Sequence, residues 1–336
     1  MTDAAVPLDP MTPRQDGRAI LCGPLAEITL ASADLERCRR FYGGALDLRN
    51  ELLRIDRASS QRACQHFGLP EQDGLDVLLL TRPGIPEAIR VRVVRLDVAR
   101  PTARPALDCR FDGALGLGVP VRGLAQRHAI VEAYGFKANA GVTTMSFPRA
   151  DGSTYDIGET HWVAPDDVMV PGVDRAHLQP VGPIDPALEI GGPSYSSALV
   201  SDVDRHGEFF DQVLGYELRR EFTFESDGPE GGMRLPKGTH VRFQQWFAPG
   251  ARTGYLVIMQ LLAGGLRAPN GLGLHHRGLG LWSFPTQKFS EVEERVARHS
   301  VKRLSAPAEI EALGFGRRRS MVIATPDGFP VEIFQC

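Results

Sequence analysis

The sequence lacks the features of a secreted or membrane-spanning protein. No apolar run approaches the ~20 residues that a transmembrane helix needs, and the N-terminus lacks the basic start and apolar stretch of a signal peptide. The five cysteines are scattered, and no C-x-x-C spacing occurs. This cysteine pattern is typical of reduced thiols. We therefore expect a cytoplasmic protein that has no membrane partner.

The chain also lacks a strong excess of charge of either sign. Its formal net charge is -3, which gives no support for a nucleic acid or an anionic membrane as partner. The length of 336 residues is enough for two domains of ordinary size. A small-molecule substrate is the partner we expect, and the sequence leaves a homodimer open.

An internal repeat is present at an offset of half the chain. The stretch "EITLASADLERCRRFYGGALDLR" and the stretch "YSSALVSDVDRHGEFFDQVLGYELR" each contain a short apolar strand followed by an aspartate, Asp34 or Asp202. Aspartate is a good helix N-cap because its carboxylate accepts hydrogen bonds from free backbone N–H groups. The repeat predicts strands near Ile28 and Ser196, with a helix after each aspartate.

The ends of the two halves also match, since "FPRADGSTYDIGE" and "IATPDGFPVEIFQ" both give a strand, an Asp-Gly turn and a strand. A segment rich in Pro, Gly and Asp separates the halves. We predict a disordered leader over residues 1–23, an N-terminal domain over 24–162, a linker over 163–192 and a C-terminal domain over 193–336.

This pattern resembles the vicinal oxygen chelate superfamily, which includes glyoxalase I, extradiol dioxygenases and bleomycin-binding proteins. The features that carry the resemblance are the strand-Asp-helix-aromatic signature and the final "PDGFPVEIFQ". The resemblance implies an α+β fold of four βαβββ modules, paired into two cupped half-barrel domains. In that superfamily, metal ligands come from the first and last strands of the modules.

The resemblance places four residues of the C-terminal half at ligand positions: Tyr195, Gln260, His276 and Glu332. His276 is the inward residue and His275 its outward neighbour, because successive strand residues face opposite ways. Imidazole and carboxylate suit one divalent ion such as Fe, Mn or Zn. The metal ligands predicted are therefore His276, Glu332 and Gln260, with Tyr195 or Glu332 as the catalytic proton-transfer group.

Alternation in the stretch "HVRFQQWF" places His240 and Trp246 on one face and Phe243 and Gln245 on the other. If the first face turns inward, His240 replaces a missing histidine ligand, and His240 with Trp246 contacts the substrate. The alternative is a polar strand that faces outward. Trp282 is expected in the core, and the triple arginine that contains Arg318 is expected in a solvated turn.

The same reading of the N-terminal half gives Glu27, Arg95, Asp112 and Asp156. An arginine among carboxylates fits an internal ion-pair network, because the guanidinium fills the role that a metal cation would otherwise fill. We therefore expect no metal in the N-terminal cup and a salt bridge from Arg95 to one of these carboxylates.

Two functions follow from the resemblance. The first is a metal-dependent enzyme that acts on a small oxygen-rich or aromatic substrate by isomerase, epimerase, lyase or glyoxalase-type chemistry. A ring-cleaving dioxygenase is disfavoured because Tyr195 stands where the first histidine ligand would be. The alternative is a metal-free protein that binds an aromatic or antibiotic-like molecule.

Overall fold

A computed structural model describes residues 11–13, 17–104, 109–148, 154–175, 178–229 and 231–336. Within the predicted leader, Met11, Leu21 and Cys22 are buried, and Gly23 donates a backbone hydrogen bond to Pro285. The prediction of a disordered leader is therefore wrong for these residues, and residues 1–10 and 14–16 lie outside the described part. No helix in the described ranges is long and apolar enough to cross a membrane.

The first module begins as the repeat predicts. Its elements are β1 (Glu27–Ser32), α1 (Leu35–Cys38) continued by a π-helical turn (Arg39–Ala45), β2 (Arg49–Ile55), α2 (Arg57–Phe67), β3 (Leu75–Thr81) and β4 (Arg90–Arg95). The predicted N-cap is confirmed, since the Asp34 carboxylate accepts a hydrogen bond from Arg37 N at 2.8 Å. The second helix, α2, is an insertion between β2 and β3.

The second module runs into the stretch that the sequence predicts to be a linker. Its elements are β5 (Gly113–Pro120), α3 (Leu124–Ala133), β6 (Lys137–Ala138), β7 (Thr143–Pro148), β8 (Thr154–Val163), a 3₁₀ turn (Pro165–Asp167) and β9 (Met169–Asp174). Because β9 pairs with both β5 and β8, it is a central strand of a sheet. The predicted linker boundaries, 163–192, are therefore wrong over this strand.

The connection and the third module repeat the pattern of the first module. They comprise the short pair β10 (Ile184–Asp185) and β11 (Ile190–Gly191), then β12 (Tyr195–Leu199), α4 (Val203–Phe209) with a π-helical turn (Phe210–Leu214), β13 (Glu217–Glu225), β14 (His240–Phe247) and β15 (Tyr255–Leu261). The Asp202 carboxylate caps α4 by accepting from Asp204 N and Arg205 N. The predicted second helix start is thus confirmed.

The fourth module completes the chain. Its elements are β16 (Gly278–Thr286), α5 (Phe289–Arg298), β17 (Arg303–Glu311), β18 (Arg317–Ala324) and β19 (Pro330–Gln335). In α5, Phe289, Val292 and Val296 are buried on one face, as their helical spacing predicts. Trp282 of β16 is buried and donates a hydrogen bond to Ser196 Oγ at 2.8 Å, so its predicted place in the core is confirmed.

Each of the two large sheets takes one module from each half of the chain. The first sheet has the order β17-β18-β19-β16-β1-β4-β3-β2, and the second has the order β13-β14-β15-β12-β5-β9-β8-β6, with β7 beside β8. Module one therefore pairs with module four through β1 and β16, and module two pairs with module three through β5 and β12. The predicted division into two contiguous halves is contradicted by this pairing.

The two sheets differ in what covers their concave faces. Helix α2 packs against β17 and β18, and its Ala63, Cys64 and Phe67 belong to a buried cluster with residues of the first sheet. We call this concave face the closed cup. The concave face of the second sheet instead surrounds a cavity, and we call it the open cup. A separate apolar cluster joins α1, α3, α4 and α5 to both sheets.

Candidate ligand-binding site

The floor of the closed cup is a buried network of two carboxylates and two guanidinium groups. Arg318 donates to both carboxylate oxygens of Glu27 at 2.7 and 2.8 Å and to Glu332 Oε2 at 2.8 Å. Arg92 donates to Glu332 Oε2 at 3.0 Å and lies 3.4 Å from Glu27. Ser283 and Ser320 hydroxyls also donate to Glu332, at 2.6 and 2.9 Å. Every oxygen of the two carboxylates therefore has a donor.

The charges of this network stabilise one another. Burial alone would raise the pKa of Glu332, but Arg318 and Arg92 outweigh burial and hold that pKa below its usual value. Burial lowers the pKa of Arg92, which its carboxylate neighbours partly offset. Because an unpaired buried charge is very costly, a network with this pairing fits an internal ion-pair cluster.

The sequence predicts such a network, but the predicted arginine, Arg95, does not take part in it. Arg95 is more than half exposed and contacts Asp76 at 3.7 Å. Arg92 is the inward residue because β1 and β4 pair Thr29 with Arg92, and a shift by an odd number of residues moves a side chain to the other face. Arg318, predicted to lie in a solvated turn, is on β18 and is 9% exposed.

The other two residues of the predicted N-terminal set also lie elsewhere. Asp156 is exposed on β8 and accepts a hydrogen bond from Ser146. Asp112 precedes β5, where burial and the neighbouring Asp327 carboxylate raise its pKa to about 7. Neither residue contributes to the closed cup, because both belong to the second module, whose strands form the other sheet.

The structure does not bring the predicted metal ligands together. Glu332 is enclosed in the closed cup by Arg92 and Arg318. Gln260 faces the opposite side of β15 from the cavity-lining residues, and its amide bonds to Val203 N and Ser201 O. His276 lies in the turn before β16, with its ring against Gly271. In the described ranges, no group of three or more His, Cys, Asp or Glu residues is arranged to hold a metal ion. The predicted ligand set is contradicted by this arrangement.

The open cup contains a cavity of about 430 Å³. Its walls are mainly apolar, with aromatic side chains from β13 and β14. The rings of Phe222 and Phe243 lie 4.7 Å apart, and those of Phe222 and Phe224 lie 6.0 Å apart. All three rings are half-buried rather than enclosed by the core. A cavity of this size and lining is the usual form of a small-molecule site.

A row of side chains crosses the floor of this cavity. Strand register places Ser197 beside Val257, Val257 beside Gln245, and Gln245 beside Arg220. These residues all line the cavity. Ser197 Oγ and Gln245 Oε1 are buried and have no hydrogen-bond partner among the described residues. Such atoms are expensive to bury unless something bonds to them.

A second polar group lies on β8. His161 Nε2 is 3.1 Å from Glu159 Oε1, and its Nδ1 is buried beneath Gly232 of the β13–β14 connection. Burial lowers the pKa of His161, but the Glu159 carboxylate and the Gly232 backbone outweigh burial and raise that pKa above its usual value. A side chain at position 232 would collide with the imidazole, since a Cβ there would lie 1.7 Å from Nδ1.

Of the predicted site residues, Tyr195 lies in the cavity wall. Its ring stacks on Tyr255 with centroids 5.1 Å apart. Burial raises the pKa of Tyr195 well above its usual value, and the Glu159 carboxylate adds to the effect. Its hydroxyl is therefore neutral at physiological pH, and Gly118 on the facing strand leaves room for the ring.

The predicted substrate contacts His240 and Trp246 lie on the wrong face of β14. His240 is exposed, and Trp246 packs against Gly207 on the helix side of the sheet. The predicted alternation of faces along β14 is correct, but the face that lines the cavity is the one that carries Phe243 and Gln245. Sequence reasoning missed Glu159 and His161 altogether. The only available signal was the alternating "YDIGETHWV" of β8, which places both residues on one face.

Solved structures resemble this architecture along most of the chain. Glyoxalase I from Zea mays is 15% identical, with 94% of this chain and 92% of that chain covered and a TM-score of 0.59. A putative dioxygenase from Bacillus subtilis is 13% identical, with 94% and 86% covered and the same TM-score. No protein-family model and no curated protein matches the sequence. The chain has the vicinal oxygen chelate fold.

The ligand positions that this fold offers do not fit a metal ion here. In the closed cup, the first and last strands supply Glu27, Arg92, Ser283 and Glu332, and guanidinium groups already neutralise the carboxylates. In the open cup, the row across the last strand of module three and the first strands of modules three and two contains Tyr255, Tyr195 and Gly118. That row lacks the imidazoles and carboxylates that divalent ions prefer.

Proposed function

We propose that this protein binds a small, mainly apolar aromatic molecule in the open cup, and that it does so without a metal ion. The observation that carries the proposal is the cavity of about 430 Å³ whose floor presents buried polar atoms that lack partners among the described residues. Apolar walls supply the affinity, and the few polar groups orient the ligand.

The half-buried rings of the cavity wall support an aromatic ligand. Phe222, Phe224 and Phe243 offer faces and edges to a flat molecule, and aromatic pairs prefer such offset or edge-to-face contacts. Met233 and Met259 also line the cavity, and thioether side chains adapt well to the outline of an aromatic ligand. The ligand would extend the apolar cluster that already lines this face of the sheet.

A neutral fluorophore tests the binding proposal. We expect N-phenyl-1-naphthylamine to bind the wild-type protein at one saturable site, with the fluorescence increase typical of an apolar environment. Dialysis against EDTA should leave binding unchanged. Val257→Trp, which fills the middle of the cavity floor, should abolish binding, whereas Thr223→Trp on the outer face of β13 should not. Phe222→Ala should weaken binding severalfold and serves as the milder variant.

The unfolding temperature of each variant shows whether it folds. Equal binding by the wild type, Val257→Trp and Phe222→Ala would place the fluorophore elsewhere and refute the proposed site. Loss of binding after EDTA, restored by a divalent ion, would refute its metal independence.

An acid–base enzyme in the same cup is a second candidate. Its support is the Glu159–His161 pair, because a carboxylate that orients a histidine and raises its pKa is a common arrangement for proton transfer. For His161 Nδ1 to reach a ligand, Gly232 must move away. Once a ligand is known, it can be incubated with the protein in D2O. Deuterium incorporation into the ligand by the wild type, and none by Glu159→Gln, would support this candidate. If the wild type leaves the ligand unchanged, the acid–base candidate fails and only the binding function remains.

A further inference from the structure

The chemistry of the cavity floor limits the kind of aromatic molecule that fits, if the proposed binding function is correct. Neighbouring strands are ~4.8 Å apart, so the Cα atoms of Ser197 and Gln245, which flank Val257 in the cross-strand row, are separated by roughly 10 Å. Both residues line the cavity, as Val257 between them does. A single polar group of the ligand placed there can contact both.

The Gln245 carboxamide carries an acceptor oxygen and an N–H donor side by side on the same carbon, whichever way the amide is rotated. Its Oε1 atom is buried and has no partner among the described residues, and the residue is 7% exposed. Ser197 is 3% exposed, and its hydroxyl oxygen is also buried without a hydrogen-bond partner among the described residues. The best partner for this pair is a group that also carries a donor beside an acceptor.

The charges around the cavity favour an uncharged ligand. Among the described residues that line it, three are arginines and three are carboxylates: Arg175, Arg220, Arg234, Glu159, Glu225 and Asp227. His161 also lines the cavity and is paired with one of these carboxylates, Glu159. Arg220 at the end of the row donates to the Tyr155 hydroxyl at 3.1 Å and lies 4.6 Å from the centre of the Phe222 ring. An aromatic anion would therefore meet as many negative as positive groups.

We propose that the ligand of the open cup is a neutral aromatic compound that carries an amide-type group, either a carboxamide or a lactam. The amide pairs with the Gln245 carboxamide through two hydrogen bonds, and its remaining acceptor position receives the Ser197 hydroxyl. The ring system lies against Phe222, Phe224 and Phe243. Gln245 and Ser197 thus determine specificity, and the phenylalanine wall supplies most of the affinity.

Three probes of similar size separate the contributions of charge and hydrogen bonding: 2-naphthamide, 2-methylnaphthalene and 2-naphthoate. Equilibrium dialysis gives the Kd of each for the wild type, Gln245→Leu and Ser197→Ala. We expect Gln245→Leu to weaken 2-naphthamide relative to 2-methylnaphthalene by about tenfold, since both hydrogen bonds to that side chain are lost. Ser197→Ala should also weaken 2-naphthamide relative to 2-methylnaphthalene, but by a smaller factor. Gln335→Leu, on the exposed end of β19, is the matched control and should change nothing.

The outcomes distinguish this inference from the binding proposal. If 2-methylnaphthalene binds, and the ratio of its Kd to the Kd of 2-naphthamide is the same in the wild type and all variants, the amide inference fails. Aromatic binding in the open cup then still stands. Tighter binding of 2-naphthoate than of 2-naphthamide would refute the neutral ligand. If none of the three probes binds but N-phenyl-1-naphthylamine does, only the amide inference fails. If no aromatic probe binds, the proposed function fails as well. Ser197→Ala keeps the test valid should Gln245→Leu fail to fold.

Discussion

Asp112 shows how one residue links the pH of the solution to the stability of the junction between the sheets. Burial, followed by the neighbouring Asp327, raises its pKa from 3.8 to about 7. Below pH ~4 the carboxyl is protonated in both folded and unfolded chains. As pH rises from there to about 7, the unfolded chain releases the proton more readily, so Asp112 progressively destabilises the fold.

We therefore expect Asp112→Asn to match the wild type in stability near pH 4 and to exceed it increasingly up to pH 7, above which the difference stays constant. Urea unfolding at a series of pH values measures this difference. Glu51→Gln, on the exposed strand β2, should show no such trend. A pH-independent effect of Asp112→Asn would mean that the carboxyl titrates normally in the folded protein.

Glu332 has the opposite dependence, because its pKa is lowered in the folded protein. Its contribution to stability is present above its ordinary pKa of 4.5 and is lost as pH falls below that value. Glu332→Gln keeps the shape but leaves Arg92 and Arg318 with Glu27 alone. We expect it to cost about 3–5 kcal/mol of unfolding free energy at pH 7.

Chemical denaturation of Glu332→Gln beside Glu36→Gln provides the comparison. Glu36 pairs with Arg39 on the surface of the first module, so its replacement should have no measurable effect. If both variants unfold like the wild type, the closed-cup network does not hold the fold together.

The same network shows how far single residues can be predicted. An internal arginine–carboxylate cluster follows from the chemistry of the residue types, and it is present. Which arginine takes part depends on strand register, because Arg92 and Arg95 belong to one strand, β4, and face opposite ways. Arg318 comes from a different module, so no pattern local to the first half of the chain could have identified it.

At the scale of elements, α2 decides which cup is closed. Its Phe67 is 3% exposed, and its ring lies 5.4 Å from the Arg92 guanidinium. We expect Phe67→Ala to cost about 3–5 kcal/mol of stability, because it leaves a cavity in the closed cup. Binding of N-phenyl-1-naphthylamine should remain as in the wild type, since that site is in the other sheet.

Thermal unfolding and fluorescence titration of one variant test both parts of this expectation. Gln65→Ala, on the exposed side of α2, is the control and should be near neutral in both assays. A Phe67→Ala variant that loses fluorophore binding while folded would show that the probe occupies the closed cup instead.

Elements with a strong local signal were predicted well. The N-caps at Asp34 and Asp202 begin both helices as expected. For strand β9, the sequence "MVPGVD" predicts a linker, because Pro171 and Gly172 are typical of loops. It forms because parallel pairing with β5 and burial between β5 and β8 outweigh that weak propensity.

On the scale of the whole molecule, the repeat predicts four modules but not their partners. Each module presents a first strand that can pair with the first strand of another module, and nothing local to β1 prefers β16 over β5. The choice depends on contacts formed after the chain has folded back across its full length, such as the bonds of Arg318 to Glu27. This is why the predicted site joined residues of the third and fourth modules, which lie in different sheets.

The exchange of modules between halves has a direct consequence for folding. If the chain is cut in the exposed turn at residues 186–189, the fragment 1–187 keeps β1 and β5 but loses their partners β16 and β12. Each fragment then exposes two long strand edges and the apolar residues beneath them.

We expect neither fragment alone to unfold cooperatively as a monomer. Mixed after joint refolding, the two should form a one-to-one complex that binds N-phenyl-1-naphthylamine, because the open cup needs β5 from one and β12 from the other. Sedimentation and denaturation of each fragment, alone and mixed, measure this. A cooperatively folded, monomeric 1–187 fragment would mean that modules one and two can pair with each other, and that the observed exchange is not required by the sequence.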